Sequence, residues 1–385
     1  MEHFSSNGII RITRKIYWYR GEGRDARLDR WLGIQDNNVS VAAREMCCRS
    51  SVGGIGFVKA AEVLERLGSI RISKEWMREI VESEGRRVSE GRKLGTLRPD
   101  WASDDCAVTE GGSTRVMVGI DGVMVPVVTE VEKQKRREKL ARKRKAKRGR
   151  RSKARTCRLN RLGENEKYKE FKIGAFYDES RQHQYAFGTA GKHEEFGRQL
   201  RKEAAKIRLD LADEKISLTD GAEWIRRQAM RQLPMLDAML LDFFHFTEHV
   251  STAARACFGE GSVQAKSWKG QLLGLALEQG PVEVLTRIQE TLCTARSAGK
   301  RKALKGLQQY VAKRVEMMDY PTFRQKGFDI GSGPTEAFCK TLTARLKGSG
   351  MKWDKANAEA MMALAAIDQC NLWKYYWSQE LARAA

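Results

Sequence analysis

The sequence lacks the features that would stabilise a secreted or zinc-stapled protein. Eight cysteines are scattered over 385 residues, and no two of them form a CxxC pair. In a chain of this size that pattern favours reduced thiols over a disulfide framework or a zinc site. No secretory signal is visible at the N-terminus, and the apolar runs are too short to span a membrane. These absences predict a soluble, cytoplasmic protein.

Acidic residues are also scarce relative to basic ones. The chain has 71 Lys and Arg but only 49 Asp and Glu, which gives a net charge of +22. Residues 132–160 contain sixteen Lys and Arg and two Glu, so this segment alone carries +14. Such an imbalance predicts a polyanionic partner, most readily nucleic acid. We expect residues 132–160 to form an extended arm along phosphates, disordered when alone because it buries too little apolar surface.

The order of apolar runs predicts an α/β fold with a mixed sheet. A length of 385 residues allows two or three domains with a well-buried core. Three strands, a helix, a strand, a helix and a last strand are expected in that order between residues 115 and 244. The pattern is then helical to about residue 320, and two further helices, 334–347 and one from near Asp354, complete the chain.

The region of residues 40–90 has the pattern of a helix-turn-helix. Helical runs are separated by a short turn, after which Ser73 is expected to cap the next helix. In this interpretation the helix from Ser73 to about Glu84 enters a major groove and exposes Lys74 and Arg78. A plain helical hairpin within a bundle is the alternative. The polar residues 91–113 predict a linker.

Three acidic residues occur at positions typical of metal ligands. Asp121 lies within the strand-like run VMVGIDGVMVPVV, Asp220 ends the run KISLTD, and Glu336 begins a helix after a Gly-rich loop. Carboxylates from separate elements can hold two divalent cations about 3.5–4 Å apart, as phosphodiester chemistry requires. Oxygen ligands are also those that Mg²⁺ prefers.

Each of these acids has a purely structural alternative. The Asp121–Gly122 dipeptide fits a two-residue hairpin turn, whereas a single strand through 116–127 would place Asp121 centrally. Asp220 and Glu223 together fit a capping box. Glu336 at the third position of its helix would be favourable through the helix dipole alone.

Several other residues are candidates for the same chemistry. Asp242 and His245 form a D-x-x-H pattern at the end of the last strand. His245 and His249 have the spacing of a zinc pair, with a buried, hydrogen-bonded histidine as the alternative. Trp268 either stacks on a displaced base or packs in the core. Cations beside a carboxylate site can bind incoming phosphates, so we assign DNA contacts to Lys340, Arg345 and Lys347. Thr343 lies on the same predicted helix face as Lys340 and Lys347.

Four motifs carry a resemblance to a known family. DGVMVPV, LTDGAEWI, LLDFFHF and IGSGPTEAFCKTLTARLKGSGMKW resemble the DDE transposases of bacterial insertion sequences, nearest the ISKra group. The resemblance runs from about residue 40 to the C-terminus, and the segment 132–160 is longer than usual for the family. It implies a ribonuclease H-like catalytic domain with a helical insertion, preceded by an all-α helix-turn-helix domain that binds terminal inverted repeats.

The resemblance also assigns roles to residues. Asp121, Asp220 and Glu336 would be the catalytic triad that binds two Mg²⁺ ions, with Mn²⁺ able to substitute, and Asp242 and His245 would lie close by. The implied activity is DNA cleavage and strand transfer by a DDE two-metal mechanism. The implied partners are double-stranded DNA, both transposon ends and target, and a second or further copy of the chain. Localisation would be cytoplasmic, at the nucleoid.

The expected organisation follows from these assignments. A nuclease of the same fold that cuts without joining, and a catalytically silent domesticated transposase that only binds DNA, remain as alternatives. The domain boundaries expected are a poorly defined segment 1–39, the helix-turn-helix 40–90, the linker 91–113, the first catalytic part 114–246, the helical insertion 247–326 and the last catalytic part 327–385.

Overall fold

The computed structural model of the protein describes residues 2–13, 15–19, 23–25, 38–53, 55–146 and 165–384. Its strands are β1 (Glu2–Ser5), β2 (Gly8–Arg11), β3 (Tyr17–Tyr19), β4 (Gly23–Asp25), β5 (Arg115–Pro126), β6 (Tyr168–Asp178), β7 (Gln184–Thr189), β8 (Glu214–Thr219) and β9 (Ala238–Leu241). The first four strands form two small hairpins, and the last five form one sheet.

The helices fall into three groups along the chain. Three precede the large sheet: α1 (Val41–Val52), α2 (Phe57–Gly68) and α3 (Lys74–Leu94). Three lie between its strands: α4 (Glu130–Ala146), α5 (His193–Lys206) and α6 (Glu223–Gln232). The rest follow the sheet: α7 (Phe243–Phe258), α8 (Val263–Glu278), α9 (Pro281–Thr294), α10 (Ala298–Ala312), α11 (Tyr320–Gln325), α12 (Gly333–Thr343), α13 (Lys355–Gln369) and α14 (Trp373–Ala384). No helix among these described residues combines the length and apolarity needed to cross a membrane.

The sheet is mixed, as the sequence predicts. Its strand order is β7-β6-β5-β8-β9, with antiparallel pairs on the β7 side and parallel pairs on the β9 side. Most residues of β5 and β6 are buried on both faces, which explains why these strands are almost continuously apolar. The predicted α/β class is therefore confirmed.

Helices cover both faces of this sheet. On the face that carries Gly119 and Gly188, a Cβ would meet Thr335 of α12 and Met362 of α13 respectively. On the opposite face, a Cβ on Gly174 would meet Phe187 and Phe196, the latter from α5. Residues two apart in a strand point to the same face, so the side chain of Asp121 lies on the face of Gly119. This is the face covered by α12.

The N-terminal helices pack on the C-terminal ones. Ser73 accepts a hydrogen bond from the Trp76 N–H and caps α3, as predicted. However, α3 continues past Glu84 to Leu94, so the first residues of the predicted linker are helical. The second half of α3 lies along α13, where a Cβ on Gly85 would sit 2.3 Å from the Ala360 carbonyl oxygen. The first turns of α3 expose Lys74 and Arg78, as the helix-turn-helix prediction needs, whereas one side of the second half is buried against α13.

A buried charge network fixes this contact between the two ends of the chain. Arg44 of α1 donates to Glu84 at 2.8 Å and to Glu380 at 3.2 Å. The Tyr376 hydroxyl donates to the other oxygen of Glu84 at 2.5 Å. A buried charge that loses its partner costs about 3–5 kcal/mol. The network thus ties α1 and α3 firmly to α14.

The prediction of an extended arm at residues 132–160 is wrong for its first half, because residues 132–146 belong to helix α4. The Thr129 hydroxyl accepts from the Glu132 N–H while Glu132 accepts from the Thr129 N–H, a reciprocal cap that starts the helix. Lys133 pairs with Asp354 at 2.5 Å, and Lys352 pairs with Glu132. Local capping and two ion pairs at its base thus override the disorder predicted from composition. The remainder of the basic segment, residues 147–160, lies outside the described residues.

Candidate metal centre

Three aspartates lie in one row across the central strands. Ile120 of β5 pairs with Thr219 of β8, and Thr219 pairs with Leu241 of β9. The next residues in these parallel strands are Asp121, Asp220 and Asp242. Neighbouring residues in one register row point to the same face of a sheet. The backbone register alone therefore brings three carboxylates into one row, with Asp121 inside β5 and with Asp220 and Asp242 directly after β8 and β9.

Asp121 lies within a continuous strand. It pairs with Ile173 of β6, so the hairpin alternative at Asp121–Gly122 is wrong. Its Oδ1 accepts from the Gly122 N–H at 2.6 Å, and its Oδ2 accepts from the Cys339 thiol at 3.3 Å. Burial is the main cause that raises the pKa of Asp121, and the two hydrogen bonds lower this pKa in part. The Asp220 carboxylate raises the pKa further, whereas His245 lowers it. Asp220 and His245 are therefore near enough to act on Asp121 electrostatically.

Asp220 follows β8 but does not cap a helix. Its Oδ1 accepts from the Ala222 N–H at 2.8 Å, which forms a local turn. Helix α6 begins only at Glu223, with Ala222 at the cap position and no side-chain cap bond. The predicted capping box with Glu223 is therefore wrong, because the turn after Asp220 delays the helix.

Asp242 is fully buried and held from two sides. It is the N-cap of α7, where its Oδ1 accepts from the Phe244 N–H at 2.7 Å. Its Oδ2 accepts from the Ser332 hydroxyl, in the loop before α12. The Phe243 N–H also donates to the Ile330 carbonyl at 2.9 Å. These bonds fasten the loop before Glu336 to the end of β9.

Close packing at Gly119 places Glu336 over the sheet. A Cβ on Gly119 would lie 2.0 Å from the Thr335 Oγ1, a distance no side chain accepts. Glycine at this position therefore allows α12 to approach β5 closely enough for Cys339 to contact Asp121. Glu336 lies one helical turn before Cys339, on the same side of α12. The cap position of this helix is Ser332 rather than Gly333, which puts Glu336 one position later than predicted.

Glu336 meets the D-x-x-H pair at this point. Asp242, His245 and Glu336 each offer one ligand atom, and these three atoms lie within 4.8 Å of one another. Burial decreases across the group, from Asp242 to Glu336, which is exposed. No hydrogen bond or ion pair joins the Glu336 carboxylate to another described side chain, so its oxygens are available to a ligand.

Of the predicted triad, only Glu336 belongs to the group with metal-ligand spacing, together with Asp242 and His245, whereas Asp121 and Asp220 lie outside that group. Asp121 interacts with Asp220 and His245, and His245 lies beside Glu336. Carboxylate oxygens dominate this donor set, and such oxygens suit Mg²⁺ and Mn²⁺. Glu248, whose carboxylate is 3.6 Å from His245 Nδ1, is a competing partner for the imidazole. Asp242, His245 and Glu336 have the spacing to hold one divalent cation.

The alternative zinc pair is not formed. His249 stacks on Tyr310, with ring centroids 3.7 Å apart, instead of joining His245. Within the described part of the chain, the group of Asp242, His245 and Glu336 is the one cluster with the spacing of metal ligands. His249 is exposed and stacks on Tyr310, so it is not the buried, hydrogen-bonded histidine of the alternative interpretation either.

Two predicted DNA contacts are buried in the structure. Arg345 is only 4% exposed, and its guanidinium lies 4.6 Å from the ring of Phe57 and 5.0 Å from that of Trp353. Trp268 is 5% exposed and donates its indole N–H to Thr291 at 2.9 Å. Both predictions are wrong, because each side chain is enclosed by helices that sequence patterns do not bring together. Trp268 fits its core alternative.

The other predicted DNA contacts lie at the surface. Lys74 and Arg78 are exposed on the first turns of α3, near Glu75 and Glu82 respectively. Lys340 and Lys347 are also exposed. Lys347 lies beyond α12, which ends at Thr343, so it does not continue the helix face as predicted. Thr343 is buried, with its hydroxyl donating to the Cys339 carbonyl at 2.6 Å.

No protein-family model matches the chain, and the curated proteins compared with it contain no match.

Proposed function

We propose that the protein is a DDE transposase that cuts DNA at the ends of an insertion sequence and joins the freed ends to target DNA. The observation that carries this proposal is the register row of Asp121, Asp220 and Asp242 beside Glu336 and His245. Two-metal phosphodiester chemistry needs convergent carboxylates on rigid elements. The strand order, with three antiparallel strands followed by two parallel ones, supports a ribonuclease H-like catalytic domain.

The chain's own residues prepare the site in distinct ways. When bound, divalent cations would activate the attacking oxygen and stabilise the leaving one. Asp121, Asp220 and Glu336 would hold these cations, with Asp242 and His245 beside Glu336. Asp242 is held in place by the Phe244 N–H and the Ser332 hydroxyl, at the start of the helix that carries His245. The fixed hydrogen bonds mean that little reorganisation is needed when DNA arrives.

Cationic surfaces supply the DNA affinity. The exposed side chains Lys340 and Lys347 lie near Glu336 in the chain, and α4 presents a strongly basic outer surface. The first turns of α3 are the part of the helix-turn-helix that would read the terminal repeats through Lys74 and Arg78. Binding two ends at once requires two copies, so a dimer or larger assembly on DNA belongs to this proposal.

The test uses the DNA that flanks the coding sequence on either side. Duplexes of these two segments, labelled on one strand, are incubated with the full chain, Mg²⁺ and a second, unlabelled DNA. We expect nicking at a defined position in each segment and covalent joining of the new 3′ end to the second DNA. Mg²⁺ chelation should stop both steps.

Two variants sharpen the test. Asp121→Ala should reduce cleavage to background while the affinity for the flanking duplex is unchanged, because the acid is inside the metal centre and not on the basic surface. Glu278→Ala, which removes an exposed carboxylate from α8, is the matched control and should cleave normally. Cleavage retained by Asp121→Ala would refute the assignment. Cleavage without joining would indicate a nuclease, and binding without cleavage a silent DNA-binding protein.

A further inference from the structure

A cavity of about 900 Å³ lies between helices α7 and α10, next to the metal centre. Gly221, which directly follows Asp220, forms part of its lining, and Glu223 continues it. The helical insertion therefore does more than pack on the sheet. It borders a half-open space whose lining includes the residue next to Asp220.

The side walls of this cavity are made of small residues. Ala253 and Ala256 line it from α7, and Ala303 and Gly306 line it from α10. A Cβ added to Gly306 would have no other heavy atom within 4 Å. Two helices that present alanine and glycine to each other leave a gap with apolar walls, which is the shape that receives a flat ring.

Cations stand at the end nearest Asp220. Arg314 donates from Nε to the Gly221 carbonyl at 3.0 Å, and Arg226 donates to the Lys313 carbonyl at 2.8 Å. Lys313 itself is exposed and lines the cavity. Fixed guanidinium groups and a free lysine suit the phosphate of a nucleotide. Glu223 and Glu248 in the lining, and Glu316, which pairs with Arg226 at 3.3 Å, offset part of this charge.

An aromatic stack forms the floor. The ring of Tyr310 lies between His249, at 3.7 Å, and the guanidinium of Arg314, at 4.0 Å. Burial is the main cause that lowers the pKa of His249, so its ring is neutral at pH 7 and its outer side remains open to stacking. The Tyr310 hydroxyl is buried with no hydrogen-bond partner among the described residues.

We propose that the cavity binds an unpaired nucleotide of the DNA strand that passes Asp220. Its base lies between the alanine walls and against His249, and its phosphate lies beside Arg226 and Lys313. A paired base cannot enter a gap between two helices, so the nucleotide must leave the duplex. This inference rests on the proposed function, because the nucleotide that the cavity binds belongs to the DNA strand that the metal centre cuts.

The experiment fills the cavity without touching the metal centre. Gly306→Leu places a branched side chain in the gap, and leucine also favours the helix over glycine, so the variant should fold. Gly270→Leu is the matched control, since Gly270 is also a helical glycine with open space around it but does not line this cavity. The probe is a fluorescein-labelled oligothymidine of eight nucleotides, titrated by fluorescence anisotropy without divalent cations.

We expect Gly306→Leu to weaken binding of the oligothymidine by about tenfold, since stacking of a base on an aromatic ring contributes on that order. Binding of a fully paired duplex should stay within about twofold of the unmodified chain, because duplex DNA uses the outer basic surfaces. Gly270→Leu should bind both probes as the unmodified chain does. Equal affinities of the two variants for the oligothymidine would overturn the proposal.

The two proposals can fail separately. If the chain never cleaves the flanking DNA but Gly306→Leu selectively loses the oligothymidine, the transposase assignment fails and the nucleotide site stands. If the chain cleaves and joins DNA while Gly306→Leu binds the oligothymidine and cleaves DNA normally, the proposed nucleotide site is refuted. The assignment of the metal centre to DNA cleavage then stands.

Discussion

The candidate metal centre is acidic and helix α4, which follows its first acidic residue in the chain, is basic. The two are held in place by different kinds of contact. Asp121 lies in the middle of β5, and α4 begins four residues after that strand ends. The carboxylates of the centre are fixed by the register of three parallel strands and by backbone donors. Helix α4 is held by its reciprocal cap and by two ion pairs at its base, and its outer residues face solvent.

This difference indicates how the two parts divide the work. A metal centre needs ligand positions fixed to within a fraction of an ångström, which the hydrogen-bonded core of a sheet provides. A surface that binds phosphates works through long-range charge and tolerates small movements. Changes in the first part should therefore alter the rate of cleavage, and changes in the second should alter DNA affinity.

The largest expected effect comes from Gly119. Gly119→Ala puts a Cβ 2.0 Å from the Thr335 Oγ1, so α12 must move and carry Glu336 with it. A displacement of about 1 Å at a catalytic group costs on the order of 100-fold in rate. Cleavage of the flanking duplex should fall by about that factor, with DNA affinity unchanged, as measured by single-turnover kinetics and anisotropy.

Gly122 supplies the matched control for this prediction. A Cβ on Gly122 would meet only the flexible end of the Glu170 side chain, on the other face of the sheet. Gly122→Ala also keeps the N–H that donates to Asp121, so we expect near-normal cleavage. Equal activity of the two variants would show that the position of α12 does not control the centre.

An intermediate effect is expected for the exposed cations of α4. Replacing five of them with glutamine should lower duplex affinity about tenfold or more at low salt. The slope of log affinity against log salt should decrease by about 0.9 for each DNA phosphate that the helix no longer neutralises. The rate of cleavage at saturating DNA should not change. The residues are Lys135, Arg136, Lys139, Arg142 and Lys143.

Exchanging lysine and arginine at the same five positions is the control, since it preserves charge. That variant should retain the salt slope of the unmodified chain. An unchanged slope in the glutamine variant would remove α4 from the DNA interface.

The smallest expected effect is that of Cys339. Cys339→Ala removes the thiol that donates to Asp121 Oδ2, while the carboxylate keeps its bond to Gly122. Loss of an outer partner of a metal ligand typically lowers metal affinity by about 10-fold or more, and a thiol is a weak donor. We therefore expect the Mg²⁺ concentration for half-maximal cleavage to rise by about tenfold at most, with the rate at saturating Mg²⁺ unchanged.

Cys370 offers a matched buried thiol away from the centre, since it contacts the backbone of Ala186 instead. Cys370→Ala should leave the Mg²⁺ requirement unchanged. If both variants shift it equally, the effect of Cys339 is one of general packing and not of Asp121 orientation.

Local patterns in the sequence predicted much of the framework. The mixed sheet follows from short, almost continuous apolar runs, and the long helical region after it follows from a period of 3.6 in the apolar residues. The cap at Ser73 follows from a single residue type before a helical run. The Asp-Gly pair in β5 shows the limit, because the same two residues fit a turn or a strand and only pairing with β6 decides between them.

The roles of Cys339, Gly119 and Tyr310 had no usable signal in the sequence. Each depends on a neighbour far along the chain: Cys339 on Asp121, Gly119 on Thr335, and Tyr310 on His249. The burial of Trp268 and Arg345 was missed for the same reason. The sequence alone does not show whether an aromatic or cationic residue lies in a core or on a DNA-binding surface.

By itself, the sequence determined most of the strands and helices, that carboxylates lie within or directly after particular strands, and that the chain carries a large positive charge. These properties arise from residues that are close together in the chain. The tertiary structure decided that Asp242, His245 and Glu336 meet within 4.8 Å, that α4 is an anchored helix, and that a cavity opens beside Asp220. Those outcomes depend on strand register and on the close approach of α12 to β5, which are set by packing between distant residues.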